Sequence, residues 1–122
     1  FQGMFATALE EGELITKIAV PSSSRFAYAK FRNPASRYAL VGVAVGKKGG
    51  SVRVAVTGAG SNGVFRWTDA EKALEGRFNP KSLDGLKVDP SGLNSDIHAA
   101  ADYRAHLIGV MAKRAVTAAL KR

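Results

Sequence analysis

The spacing of apolar residues changes along the chain, from a period of two in the first half to a helical period in the second. In the first half, apolar side chains alternate with small or charged ones in residues 14–20, 26–31, 38–45 and 52–56. Such alternation is typical of β-strands with one buried face. Pro21 ends the first segment, and the Lys47–Gly50 stretch predicts a hairpin turn. We therefore expect a run of antiparallel strands.

The second half has the pattern of helices. Thr68, with Glu71 three residues later, predicts a helix start with a capping box, and Gly76 predicts its end. Arg104 lies off the apolar stripe of the clearest predicted helix, which is close to the C-terminus. That stripe contains Tyr103, Leu107, Val110, Met111, Ala115 and Ala118. Strands followed by helices favour an α+β fold, in which an antiparallel sheet packs against helices.

Composition fits one globular domain over residues 1–122, with 46% hydrophobic residues and no cysteine. The lack of cysteine excludes disulfides, thiolate metal centres and cysteine nucleophiles, and it favours the cytoplasm. No apolar run has the length of a membrane span, and no signal peptide is recognisable. Phe1 to Gly3 are either the remnant of a cleavable expression tag or native residues.

The formal net charge of +8 raises the question of a nucleic acid or another anionic partner. The basic residues are, however, spread along the chain and do not alternate with aromatic ones, as single-strand binders require. We therefore do not expect nucleic acid as the partner. A stand-alone basic module that binds an anionic partner stays the alternative reading.

Two motifs carry possible chemistry. Gly58 to Gly63 read G-x-G-x-x-G after a strand, but Val64–Trp67 continue as a short strand where a phosphate-binding helix would begin, so a glycine-rich turn is expected. His98 and His106 are about two helical turns apart, too far to share a metal ion without other ligands. We predict no catalytic residue and no metal site.

Four segments, in order along the whole chain, resemble the C-terminal domain of the FAD-binding medium subunit of molybdenum hydroxylases. This family includes the flavoprotein of carbon monoxide dehydrogenase and the FAD part of xanthine dehydrogenase. The resembling segments are Phe1-x-Gly3-x-Phe5-x-Thr7-x-Leu9 with Gly12–Thr16, Tyr28–Ala39 with Val41–Ala44, Ala70–Gly76, and Asp96–Ala99 with Tyr103–Leu107 and Lys113–Ala115. One departure is Arg37, since many relatives carry an acidic residue before the aromatic at position 38.

The resemblance implies an α+β domain that follows two FAD-binding domains, both outside this chain. It implies a multi-subunit oxidoreductase in which electrons pass from the molybdopterin centre of a large subunit, through iron–sulfur clusters of a small subunit, to FAD and an external acceptor. By similarity, Ile15 lies against the isoalloxazine ring and Lys30 approaches its polar edge. The domain alone is expected to be non-catalytic and not to retain FAD.

Plainer readings of the same residues stay open at this point. Lys30 also fits a solvated strand lysine, and Ile15 also fits ordinary core packing. A scaffold domain that binds only partner subunits is a further alternative for the chain as a whole.

Overall fold

Four antiparallel strands form one sheet in the order β1-β2-β3-β4. They are β1 (Arg25–Arg32), β2 (Ala39–Lys48), β3 (Ser51–Thr57) and β4 (Phe65–Arg66). A computed structural model describes residues 2–3, 6–20, 22 and 25–121 of the chain. Gly49 and Gly50 form the predicted turn between β2 and β3, and Gly49 has a φ of 56°.

Register places valines on one face of the sheet. Ala29 of β1 lies opposite Val43 of β2, and Val43 lies opposite Val56 of β3. Because side chains alternate across a strand, the neighbouring Gly42 and Ala44 face the other way. The valines of this face in β2 and β3 are fully buried, whereas Tyr28 on the other face is half exposed.

Two helices contribute to the core on the valine face. Helix α2 (Ala101–Leu120) packs against β1 and β2, and helix α1 (Thr68–Gly76) packs against β3. Short 3-10 turns at Pro80–Leu83 and Pro90–Gly92 lie between the helices in the chain and contact α2. The strands-then-helices arrangement confirms the predicted α+β class and antiparallel sheet.

The strand predicted at residues 14–20 is wrong for the chain as it folds here. These residues have no regular secondary structure, and Leu14, Ile18 and Val20 are 75–84% exposed. A strand needs a neighbouring strand to satisfy its backbone N–H and C=O groups. In the described part of the chain, no strand pairs with residues 14–20.

The predicted capping box is also wrong. Trp67 occupies the N-cap of α1, without a side-chain capping hydrogen bond, and Glu71 turns towards the sheet instead. Its Oε1 accepts from the Val54 N–H at 3.0 Å and from Arg66 Nε at 2.9 Å. One helical turn later, Glu75 accepts from the Val52 N–H at 3.1 Å. Strand β4 is only two residues long, so these carboxylates take the β3 amides that it does not reach.

The buried stripe of α2 keeps the predicted Leu107, Met111 and Ala115, whereas Val110 is partly buried and Ala118 is exposed. It also includes Arg104, which is 3% exposed. Its guanidinium donates to the Leu40 carbonyl at 2.8 Å and to the Gly58 carbonyl at 3.3 Å, and it pairs with Asp96 at 2.7 Å. The burial is tolerated because these oxygens bond both terminal nitrogens of the guanidinium and Asp96 balances its charge, while the buried Nε has no hydrogen-bond partner in the described chain. Tyr103 is 45% exposed and packs edge-on against Phe31.

Candidate functional site

The loop from β1 to β2 is held by Asn33, which is buried. The Asn33 N–H donates to the Tyr38 carbonyl at 2.8 Å, and the Asn33 carbonyl accepts from the Arg37 N–H at 3.0 Å. The Asn33 side-chain oxygen accepts from the N–H groups of Ala35 and Ser36 at 2.9 and 3.3 Å. An asparagine that bonds the backbone two and three residues on closes a turn and limits its motion.

This turn brings Lys30 and Tyr38 to the same end of the sheet. Arg37 has a φ of 64°, a left-handed conformation, and its carbonyl accepts from Lys30 Nζ at 3.3 Å. The next side chain, Tyr38, is 80% exposed. We refer to Lys30, Arg37 and Tyr38 as the sheet-end cluster. It combines two cations with an uncovered aromatic ring.

The sheet surface beside this cluster is shallow because β2 carries small residues there. Gly42 lies opposite Lys30 in the register, and Tyr28 lies over it so closely that a Cβ at Gly42 would be 2.1 Å from the Tyr28 hydroxyl. That hydroxyl is 3.3 Å from Thr57 Oγ1. Glycine is therefore needed at position 42 for this placement of Tyr28.

The charge of this region is one-sided. Residues 25–48, which form the β1–β2 hairpin, include no aspartate or glutamate. They include the basic residues Arg25, Lys30, Arg32, Arg37, Lys47 and Lys48. A surface with this charge favours an anionic group over a cationic one.

Ile15, the second residue implied by the resemblance, lies away from the core. It is in the exposed segment 14–20 and is 65% exposed. The structure forms the sheet-end cluster without it. Core packing, the plainer reading of Ile15, therefore does not describe this residue in the chain as it folds here.

The glycine-rich segment is a turn, as expected from the sequence. Gly58 has a φ of 76°, and a Cβ there would lie 2.2 Å from the Ala39 carbonyl oxygen, so backbone packing requires a glycine. The Ser61 N–H donates to the Gly92 carbonyl at 3.1 Å, and Asn94 bonds Ala59 and Gly60. These contacts tie the loop to the second 3-10 turn rather than directing it at a ligand.

A cavity of about 470 Å³ lies between α2 and the chain that leads into it. Its walls are mostly apolar, and Lys113 at its edge pairs with Asp84. His106 lines the cavity, whereas His98 follows Asp96 in an exposed turn.

Within residues 2–3, 6–20, 22 and 25–121, no group of three potential ligand side chains could hold a metal ion. No helix there is long and apolar enough to cross a membrane.

Curated relatives of this chain are medium subunits. It is 31% identical to the nicotine 6-hydroxylase medium subunit of Paenarthrobacter nicotinovorans, with 98% of this chain and 45% of that protein covered. It is 31% identical to the carbon monoxide dehydrogenase medium chain of Afipia carboxidovorans and 27% identical to that of Hydrogenophaga pseudoflava. Both matches cover all of this chain and 46% of the relative. The chain thus spans about half the length of these relatives.

Solved structures and a family model agree with these relatives. The fold matches a chain of reconstituted CO dehydrogenase from Oligotropha carboxidovorans with a TM-score of 0.76 and 30% identity, over 100% of this chain and 46% of that one. A cyanide-inactivated Cu,Mo-CO dehydrogenase matches with a TM-score of 0.72 and 29% identity, over 98% and 46%. The model of the CO dehydrogenase flavoprotein C-terminal domain matches residues 26–119. The chain belongs to the CO dehydrogenase flavoprotein C-terminal domain family.

Proposed function

We propose that this chain is the C-terminal domain of the FAD-binding medium subunit of a molybdenum-containing hydroxylase and that it covers part of the FAD. The observation that carries the proposal is the family match over residues 26–119, together with medium-subunit relatives from two enzymes. The proposed partners are a molybdopterin-binding large subunit and an iron–sulfur small subunit. The cytoplasmic location expected from the sequence stays part of the proposal.

The sheet-end cluster is the part of the described chain that best fits FAD. Bound FAD accepts electrons and passes them on, and its ring gains negative charge when it is reduced. Lys30 supplies a fixed positive charge, because its ammonium is held at 3.3 Å by the Arg37 carbonyl. Tyr38 supplies an exposed aromatic face next to that carbonyl, and flat rings stack favourably on such a face. A planar ring with an anionic edge matches both groups.

Asn33 acts in this proposal as a positioning residue. Its four hydrogen bonds hold the loop that carries Arg37 and Tyr38, so the Arg37 carbonyl that accepts from Lys30 Nζ keeps its position. Such preorganisation lets a charge act on a cofactor without first being reoriented. Ile15, by similarity, excludes water from the ring, since it brings an apolar side chain on the segment before β1.

The remaining FAD contacts belong, in this proposal, to the two FAD-binding domains that precede this one. The 122-residue chain is therefore expected to purify without bound flavin and without catalytic activity. It acts only within the multi-subunit oxidoreductase. There, it helps to hold FAD and to dock partner subunits during electron transfer from the iron–sulfur clusters to an external acceptor.

The test uses the complete medium subunit that contains this chain and measures the flavin midpoint potential. Lys30→Gln should lower that potential by on the order of 50 mV, because the removed charge no longer favours the reduced ring. Lys48→Gln is the matched control. It removes the same charge on the same sheet face, about 20 Å further along β2, beyond the Debye length at physiological salt.

The possible results distinguish an error in the role of Lys30 from an error in the proposed function of the whole domain. If both variants leave the potential and the FAD content unchanged, Lys30 does not act on the flavin. If the complete subunit contains no flavin, the proposed function itself is wrong. Salt-sensitive binding of the 122-residue chain to random oligonucleotides, in a flavin-free protein, would support the alternative of a basic binding module.

A further inference from the structure

The cavity beside α2 has a glycine of the helix in its wall. Gly109 lies in the middle of α2 and lines the cavity of about 470 Å³. A Cβ at this position would meet nothing within 4 Å beyond its own stretch of helix. A glycine inside a helix destabilises that helix relative to alanine. Gly109 thus brings no packing advantage within the described chain, and the space that it leaves is available to another molecule.

Residues 84–90 form the opposite wall of the cavity, and both ends of this segment are fixed. At one end, the Asp84 carboxylate pairs with Lys113 Nζ of α2 at 2.5 Å. Just beyond the other end, the Gly92 carbonyl accepts from the Ser61 N–H at 3.1 Å. The two attachments hold the segment at a distance from the helix, so the cavity stays open.

The cavity has an apolar lining and two free hydrogen-bond donors. The apolar residues of the lining include Leu83, Leu86, Val88, Ala105 and Val110. The donors are the exposed side chains of Lys87 and His106, and neither has a hydrogen bond or an ion pair in the part of the chain that the structure describes. Asp102 also lines the cavity, and its carboxylate already accepts from the Tyr103 N–H at 2.8 Å.

Size and chemistry together select a class of ligand. Sites for small molecules usually have volumes of about 300–1,000 Å³, apolar walls and a few polar groups that fix the orientation of the ligand. A hydrocarbon or aryl body matches the walls of this cavity. The ammonium of Lys87 and the ring N–H of His106 favour an acceptor with a negative charge. A carboxylate has two acceptor oxygens, one for each donor.

We propose that this cavity binds a small apolar carboxylate, with its hydrocarbon body over Gly109 and its carboxylate at Lys87 and His106. The site does not depend on the proposed function. It is formed by α2, which packs on the valine face of the sheet, whereas Lys30 of the sheet-end cluster lies on the opposite face. A ligand here is therefore separate from FAD.

The test is a titration of the 122-residue chain with octanoate, followed by NMR of the backbone amides. The amides of Lys87, His106 and Gly109 should shift and saturate, with half-saturation at about 1 mM or below. The uncharged 1-octanol has the same hydrocarbon chain and should bind at least about 5-fold more weakly, because it lacks the negative charge.

Two variants locate the ligand. Gly109→Leu fills the space over the helix and should weaken octanoate binding at least about 10-fold. It should not unfold the chain, because leucine is a better helix former than glycine. Lys87→Gln should weaken binding about 3-fold. The matched control is Lys72→Gln, an exposed lysine of α1 outside the cavity, which should leave the affinity unchanged.

Several results would overturn the proposal. Shifts that do not saturate, or that lie mainly on the open face of the sheet, would show that the cavity is not a binding site. Equal affinities of wild type and Gly109→Leu would place the ligand elsewhere. Equal affinities for octanoate and 1-octanol, or of Lys87→Gln and wild type, would refute the carboxylate. All of these results leave the proposed function standing, because the flavin potential of the complete subunit tests it independently.

Discussion

Strand β2 and residues 14–20 have similar sequences and opposite environments. Both alternate large apolar side chains with smaller or polar ones, yet Val43 of β2 is fully buried and Val20 is 84% exposed. Strand β2 lies between two strands and under α2, whereas residues 14–20 have no such neighbours in the described chain. An alternating pattern thus gives a segment one apolar face. Whether that face is buried depends on a neighbouring strand or helix that covers it.

The largest effect is expected from Arg104, which joins α2 to the ends of β2 and β3. Arg104→Met leaves the Leu40 carbonyl and Asp96 without their partner and should lower the free energy of unfolding by about 3–5 kcal/mol. Urea unfolding of the 122-residue chain measures this loss. The control is Arg114→Met, an exposed position on the same helix, which should change little. Equal stabilities of the two variants would show that Arg104 does not stabilise the packing of α2 on the sheet.

A smaller effect is expected at Glu71, which joins α1 to the unpaired edge of β3. Glu71→Gln should cost about 1–3 kcal/mol, because a charged acceptor for Arg66 and the Val54 N–H is lost. Glu75→Gln is the control: Glu75 is more exposed and should cost less. A larger cost at Glu75 than at Glu71 would contradict this account of the edge.

The Glu71 contribution should also depend on pH. The hydrogen bond from Arg66, and then the Val54 N–H, hold the pKa of the Glu71 carboxyl below its ordinary value, against the opposing effect of burial. Because the folded-state pKa is lowered, the stabilisation is complete above the unfolded pKa of about 4.3 and is lost as pH falls through the folded pKa. The difference between wild type and Glu71→Gln should therefore shrink in acid. A constant difference down to about pH 2 would contradict it.

The smallest effect is expected when a valine is replaced by threonine, once in β2 and once in residues 14–20. Val43→Thr places a hydroxyl in the core and should cost about 1–2 kcal/mol, whereas Val20→Thr should change the stability of the 122-residue chain by less than about 0.5 kcal/mol. Thermal unfolding of both variants gives the comparison. A similar loss at both positions would mean that residues 14–20 already pack on the chain itself.

Much of the fold was predictable because its signals are local. The alternation in β1, the Gly49-Gly50 turn and the end of α1 at Gly76 each depend on residues close together in sequence. The glycine-rich turn was predictable for the same reason, since the next residues continue as a strand. The ion pair of Arg104 with a carboxylate, here Asp96, was predictable. The partners Leu40 of Arg104 and Val54 of Glu71 were not, because they are 64 and 17 residues away.

The candidate site was predictable in part. Alternation in β1 places Lys30 on the face opposite the valines, and the resemblance selected it from the other lysines. Tyr38 was not selected, although the Asn33-Pro34 turn signal before it was visible. It directly follows the left-handed Arg37, whose carbonyl accepts from Lys30 Nζ. These are tertiary features of the loop.

The sequence by itself determined the α+β class, the strands that follow one another by short turns, and the family to which the chain belongs. Only the tertiary structure decided which alternating segments become strands, which face of α2 is buried and which charged groups lie inside. The physical reason is that both strand pairing and the burial of a charge need partners, and these partners are distant in the chain. Residues 14–20 show what a strand sequence does without one.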